Sequence, residues 1–277
     1  MAHADWWVPD WPAPPGVHAL CTTRAGGHSA APYDSLNLGT HVGDDAEAVR
    51  ANRQVLQAAL QARTPGARAT FLSQVHGVGV ADLDLHTPDG TEADACTTRV
   101  AGAVCTIMVA DCLPVLLAHR SGAVVAAAHA GWRGLAGHGG RGVLESVFER
   151  FSALALDGQA LAAIKSEVPG GTLAWLGPCI GPEAFEVGED VRAAFCSVDP
   201  GAQCCFVPRP GPAGKFLCDL AGLARRRLRA LGITQVYGND STAPWCTVTQ
   251  ASTFFSHRRD SVALGGSGRF AACIWRG

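Results

Sequence analysis

The sequence predicts an α/β (α+β) fold, one layered domain over residues 1–277 with mixed β-sheets packed against helices. Three observations carry this. Short runs such as Gly102–Val109 and Ala123–His129 are almost continuously apolar, as strands buried on both faces are. Segments with helical spacing alternate with them from end to end. No linker, low-complexity segment or clear repeat interrupts the alternation, and 277 residues suffice for a large core.

The elements follow in order. Trp6, Trp7 and Trp11 stand among prolines and are expected to pin the first residues onto the body. His18–Thr23 is a strand, Arg24–Ser29 a glycine turn, and Tyr33–Asp44 a polar, glycine-punctuated loop. Asp45–Arg63 is a helix: it starts acidic and spaces Val49, Val55, Leu56 and Leu60 on one side. Thr70–Gln74 is a strand that delivers His76 just past its end. Gly102–Val109, Pro114–Ala118 and Ala123–His129 are buried strands. Gly134–Gly142 is a loose glycine-rich lead into a helix over Val143–Leu154. Leu173–Leu176 is a strand, Val187–Phe195 a helix, and Asp219–Leu231 a basic helix whose Arg225, Arg226, Arg227 and Arg229 form a solvated face. Gln235–Tyr237 and Phe270–Trp275 close the chain as strands.

Composition narrows the function. The net charge of −2 gives no pull toward nucleic acid. The longest apolar stretch, Val100–Ala110, is too short to span a bilayer, and the first residues lack the basic and apolar regions of a signal peptide. Eleven cysteines, an odd number without any Cys-x-x-Cys, fit a reduced cytoplasmic protein better than a disulfide scaffold or zinc ribbon. Most, including Cys21, Cys96, Cys105, Cys196 and Cys273, are expected as small buried hydrophobes, and the Cys204–Cys205 pair as incidental. No protein partner is evident.

Chemistry concentrates in three motifs: Ser73-Gln74-Val75-His76, Ala110-Asp111-Cys112-Leu113-Pro114, and His129-Ala130-Gly131-Trp132-Arg133-Gly134. Each places its His or Cys at the end of an apolar strand, where neighbouring strands converge. Two imidazoles and a thiolate suit a zinc-like ion, and three protein ligands leave a fourth position open for chemistry. Asp111 is placed to orient a ligand or act as general base. Three alternatives stand beside this. Cys112 and His129 can be nucleophile and base of a metal-free cysteine hydrolase, assisted by Asp111 or Gln74. The site can be a structural zinc, though no fourth close Cys or His supports that. The three side chains can also be ordinary core residues. Arg133 follows Gly131-Trp132 at a segment start rich in N–H groups, which suits an anion. Arg24, Arg53, Arg258, Arg259 and Arg269 are further candidates, and no P-loop pattern is present.

With these motifs on the page the chain resembles the laccase-domain, or polyphenol-oxidase-like, family of bacterial cytoplasmic proteins. Its members are described as purine nucleoside phosphorylases with adenosine deaminase activity, and one branch as a peptidoglycan editing factor. The similarity runs through Thr23–Gly27, Tyr33–Asp44, Asn52-Arg53, Gln74–Gly77, Ala93-Asp94-Ala95, Ala110–Leu117, His129–Leu135, Leu176–Pro182, Phe185–Gly188, Phe254–Asp260 and Gly268-Arg269. The resemblance implies that His76, Cys112 and His129 bind zinc. It also implies Asn37 and Arg53 as contacts to a purine nucleoside, and Asp111 and Arg133 as support for catalysis and phosphate. Two departures are visible. The stretch Ala136–Arg141 is longer than the family's, offering His138 as an extra ligand, and position 257 is His where relatives usually have Tyr.

The chain has ten histidines but no His-x-His, so it lacks the paired ligands of a three-copper cluster. Copper in the triplet, with slow oxidation of phenols, is the most that copper chemistry can claim. The expected activity is therefore zinc-dependent phosphorolysis of adenosine, inosine and methylthioadenosine, with deamination of adenosine. The alternatives are a metal-independent cysteine hydrolase acting on a cell-wall precursor and a non-enzymatic, zinc-stabilised binding protein.

Overall fold

The computed structural model describes residues 3–156, 168–211 and 213–277. Its strands are β1 (Val17–Cys21), β2 (Arg68–Phe71), β3 (Val80–Asp82), β4 (Ala95–Thr98), β5 (Ala103–Val109), β6 (Leu113–His119), β7 (Val125–Ala130), β8 (Thr172–Leu176), β9 (Glu186–Gly188), β10 (Phe206–Pro208), β11 (Lys215–Cys218), β12 (Gln235–Gly238) and β13 (Phe270–Arg276). The helices are α1 (Ala46–Arg63), α2 (Trp132–Ala136), α3 (Val143–Leu156), α4 (Glu189–Cys196), α5 (Leu220–Ala230) and α6 (His257–Ala263).

A six-stranded mixed sheet runs β12-β8-β6-β7-β4-β3, and a four-stranded mixed sheet runs β1-β13-β5-β2. A small antiparallel sheet, β10-β11-β9, stands apart from both. The expected α+β layering is what the chain builds, and side-chain alternation shows the order of the layers. In β6, Leu113, Val115 and Leu117 pack against α3 and α5, while Leu116 and Ala118 face the four-stranded sheet. In β5, Cys105, Ile107 and Val109 face the six-stranded sheet, while Val104 and Met108 pack with Leu56 and Leu60 of α1. The stack is helix, sheet, sheet, helix. Both large sheets are covered on both faces, which is why β5, β6 and β7 are nearly continuous apolar runs instead of alternating ones.

Several expectations change. The helix expected over Val187–Phe195 is two elements: Glu186–Gly188 pairs with β11, and the helix starts only at Glu189. The strand expected over Thr70–Gln74 ends at Phe71, because Gln74 spends its amide on the backbone N–H and C=O of Met108 instead of extending the sheet. The loose Gly134–Gly142 segment contains the last turn of α2 and a tight turn closed by His138 and Arg141. The solvated arginine face is largely spent internally. Arg225 donates to the carbonyls of Val236, Gly238 and Asn239, Arg226 pairs with Asp199, and Arg227 holds the carbonyls of Ala136 and Gly140. Trp6 is buried, as expected of a pinned start, and Cys196 is half-buried rather than in the core.

Candidate metal centre and cleft

The site lies where the two large sheets exchange the chain. The segment Ala110-Asp111-Cys112 leaves β5 in one sheet and enters β6 in the other, with Asp111 at φ +85°. β7 runs antiparallel to β6 with Leu113 opposite Ala130, so register brings Cys112 and His129 to the same sheet end. β4 pairs with β7 with Ala95 opposite Ala128, which puts Asp94 beside His129. His76 is on the loop after β2, at φ +63°. A left-handed conformation at a non-glycine residue costs on the order of 1 kcal/mol and persists only where the surroundings hold it. Two of the three such residues among those described flank this site.

His76, Cys112 and His129 each offer one ligand atom, and these atoms lie within 4.8 Å of one another. Cys112 Sγ is 3.7 Å from His76 Nε2, and the two imidazoles meet edge to face at 4.7 Å. His129 is buried, Cys112 half-buried and His76 exposed. Gly131 makes the approach possible: a β-carbon there would stand 2.8 Å from Cys112 Sγ and 3.0 Å from His76 Cδ2. Burial alone would push the Cys112 thiol up, but the His129 and His76 rings outweigh it and bring the thiol down to about 6. Burial likewise opposes charge on His129, and the Cys112 sulfur and Asp94 carboxylate overcome it, raising the imidazole to about 9.

Asp94 is the residue that sequence reasoning passed over. It is completely buried. One carboxylate oxygen accepts from His129 Nδ1 at 2.8 Å and from the His76 backbone N–H at 2.9 Å. The other accepts from the N–H groups of Val75 and Gly77 at 3.2 and 2.6 Å. Burial raises its pKa, yet the His129 and backbone donors prevail and hold the carboxyl below its usual range. Its sequence signal was an acid between two alanines, within one of the motifs shared with the family, where a buried charge demands partners.

The remaining expected residues divide. Cys112, His129, His76, Asp111 and Arg133 all line one cleft of about 510 Å³. Asp111 enters it with its carboxylate engaged: Oδ1 accepts from the Thr247 hydroxyl at 2.5 Å and Oδ2 from the Arg258 backbone N–H at 2.6 Å, fixing the start of α6 over the site. Arg133 is exposed, its guanidinium 4.4 Å from the Trp132 ring centroid. Asn37 and Arg53 do not line the cleft. Asn37 is fully buried, and its side chain binds Gly39, Asp44 and the Arg269 N–H. Arg53 donates to the Leu38 carbonyl at 3.0 Å, lies 3.9 Å over Phe71 and approaches Asp89 at 3.8 Å. His138 is closed into its own turn and is no part of the triplet. In their place the cleft gains the polar His41, His257, Arg258 and Arg269 and the apolar Trp132, Ile180, Phe185 and Leu220. Gln74 also lines it but acts as the tether to Met108 already described.

The donor set fits a metal. Two nitrogens and one sulfur converge, and the Asp94 carboxylate, which can only accept, makes His129 Nδ1 the donor and leaves Nε2 for coordination. Fold and site thus define a layered α+β protein with a three-donor metal-type centre in the floor of a small-molecule cleft. The chain belongs to the family of the multi-copper polyphenol oxidoreductase laccases, whose model matches residues 18–277. Among its relatives is a purine nucleoside phosphorylase of Pseudomonas aeruginosa, 46% identical over 271 residues that cover 98% of each chain. Another is the purine nucleoside phosphorylase YfiH of Escherichia coli, 45% identical over 97% of each chain. The crystal structure of a Neisseria meningitidis protein superposes with a TM-score of 0.83 at 42% identity, covering 98% of this chain and 99% of that one. YlmD of Geobacillus stearothermophilus superposes at 0.77 and 28% identity, covering 100% and 98%.

Proposed function

We propose that this protein is a zinc-dependent purine nucleoside phosphorylase that also deaminates adenosine, with residues 1–277 acting as one unit. One observation carries the reading: the His76–Cys112–His129 triplet opens into a cleft whose apolar side chains are interleaved with arginines, Arg133 over Trp132 and Arg258 over Phe185. Trp132, Ile180, Phe185 and Leu220 offer a surface for a purine, while Arg133 and Arg269 offer charge for phosphate. Arg269 suits that role because burial disfavours its charge and its guanidinium is held by the Ser267 and Gly268 carbonyls rather than by a carboxylate. The relatives' names point to the same nucleoside and phosphate.

In phosphorolysis a phosphate oxygen forms a bond to the ribose anomeric carbon while the bond from that carbon to the purine nitrogen breaks. The purine takes a proton and ribose 1-phosphate remains. Bound zinc would supply Lewis-acid charge at the three donors for an oxygen nucleophile. Arg133 and Arg269 hold the anion, and the apolar side chains orient the base and exclude water. Asp111 acts by position: with both oxygens engaged, it fixes Arg258 and His257 at the cleft rim. Asn37 and Arg53, the expected nucleoside contacts, serve from behind by setting the loop that carries Arg269 and His41. Copper in the same triplet would give slow phenol oxidation at most. All eleven cysteines are free, which suits a reducing cytoplasm, and among the described residues no helix is long and apolar enough to cross a membrane.

The test is direct. Purified protein should convert adenosine and phosphate to adenine and ribose 1-phosphate, inosine and phosphate to hypoxanthine and ribose 1-phosphate, and adenosine and water to inosine and ammonia, and chelation should stop all three. Full turnover after complete metal stripping sinks the zinc assignment. A second reading draws on the low thiol pKa of Cys112 and on Asp94, which makes Cys112–His129–Asp94 a nucleophile, base and orienting acid. That cysteine hydrolase, acting on a cell-wall precursor, requires the metal-free protein to turn over such a substrate and lose this activity when Cys112 is alkylated. A metal-free thiol that stays inert rejects it.

A further inference from the structure

We infer that Asp94 is the positioning residue of the metal centre: one buried carboxylate sets both the tautomer of His129 and the backbone conformation that presents His76. The inference rests on the metal reading above and concerns a residue that never reaches the cleft.

The argument begins with two ligands on unrelated pieces of chain. His129 sits in a central strand, fixed by pairing on both sides. His76 sits on a loop, exposed and at φ +63°, where backbone sterics work against it. Three consecutive N–H groups, from Val75, His76 and Gly77, point at one carboxylate. Such a concave run of amides is an anion cradle, and a left-handed residue within it is what lets successive N–H groups converge. Asp94 fills the cradle, and its attraction offsets the local strain. The oxygen that holds the His76 N–H also accepts from His129 Nδ1. The two ligands are therefore referred to a single atom. That atom is itself held, since the Asp94 N–H donates to the Gly79 carbonyl and its own carbonyl accepts the His129 N–H at 2.7 Å.

The tautomer follows from the inventory of donors. A carboxylate without a proton offers no hydrogen, so His129 Nδ1 must carry one, and Nε2, toward Cys112 and His76, is the nitrogen left to coordinate when a metal binds. Asn at position 94 breaks this logic while keeping the size. Its amide has one oxygen for four donors. If the oxygen stays with the Val75 and Gly77 N–H groups, the NH₂ faces His129 Nδ1. The imidazole then accepts at Nδ1, carries its hydrogen on Nε2, and no longer offers that nitrogen to a metal.

The experiment uses the full chain and zinc alone as the probe. Zinc affinity is measured by competition with a chromophoric chelator for wild type and Asp94→Asn, and the cobalt-substituted proteins are compared by their thiolate-to-metal and d–d absorption. The expected result is a loss of zinc affinity of about 10- to 100-fold, with a changed cobalt spectrum, in a variant whose circular dichroism remains native. A folded Asp94→Asn protein with wild-type zinc affinity and spectrum overturns the inference. Should that variant not fold, the wild type decides it. Nitrogen-15 spectra of the zinc-loaded histidines should show His129 with a hydrogen on Nδ1 and metal on Nε2, and the reverse assignment overturns the proposal. Failure of the wild type to bind zinc at all would instead remove the metal reading on which the inference stands.

Discussion

Two loops of this protein look alike in sequence and do opposite work. Residues 72–78 and 33–45 both carry prominent motifs beside an apolar element, and both are tied down by buried polar side chains, Asp94 for the first and Asn37 with Asn52 for the second. In the first, Asp94 takes three backbone N–H groups and leaves the His76 ring free at the cleft. In the second, Asn37 and Asn52 consume one another's surroundings. Asn52 accepts the His28 N–H and donates to Ser29, Ser35 and Asn37, and Asn37 binds Gly39, Asp44 and Arg269. The difference lies in spare capacity. A buried polar residue whose every donor and acceptor is used within the chain is scaffold, whereas one that leaves an atom of a neighbour unclaimed makes a site.

Substitutions can break this division. The largest effect is expected for His129→Ala, which removes one of three donors and strands the Asp94 carboxylate. Stoichiometric zinc and nucleoside cleavage should both disappear, read by metal analysis and product chromatography. A fully active, zinc-loaded variant would end the site assignment. Next comes Asn37→Ala. It leaves several buried donors and acceptors unpaired and should lower stability by roughly 2–4 kcal/mol, seen in denaturant titration. The folded fraction should nonetheless bind zinc as the wild type does; a selective loss of zinc with stability unchanged would move Asn37 from scaffold to site.

Smaller effects sharpen the boundary. Gly131→Ala pushes a methyl against Cys112 Sγ and His76 Cδ2, so zinc affinity should fall by about tenfold while thermal stability changes little. Equal zinc affinity in a folded variant would show that the triplet is looser than drawn. Arg133→Ala should raise the KM for phosphate about tenfold, equivalent to about 1.4 kcal/mol, with a smaller effect on the nucleoside KM. Steady-state kinetics with each substrate varied in turn distinguish this, and an unchanged phosphate KM would leave Arg269 alone as the anion contact. Arg53→Met keeps the stem over Phe71 and loses the contacts to Leu38 and Asp89. It should cost about 1 kcal/mol of stability and leave both KM values in place, whereas a rise in nucleoside KM would restore Arg53 as a substrate contact.

The sequence by itself determined much of this protein. Nearly continuous apolar runs announced strands covered on both faces, since a one-sided strand alternates apolar with polar residues. The ends of those runs announced His76, Cys112 and His129 as a convergent group, because strand ends in layered folds come together at an edge. Helix α1 was legible to its cap, where the Asp45 side chain accepts from the Ala48 N–H. Short strands were not legible: β3, β9, β10 and β11 hold three or four residues each, too few to show a period, and are strands because a neighbouring strand pairs with them.

Only the tertiary structure decided what the motif residues do. Asn37, Arg53 and Asp111 stand in equally prominent motifs, yet burial and hydrogen bonding send the first two behind the cleft and spend the carboxylate of the third on Thr247 and Arg258. Asp94 stood in the sequence as one acid within the Ala93-Asp94-Ala95 motif, and the fold makes it the point to which two ligands are referred. The physical reason is the same in each case. A side chain's chemistry is written in its residue type, but whether its atoms remain available depends on which donors and acceptors the fold brings within 3 Å or so, and those partners come from residues far away in sequence.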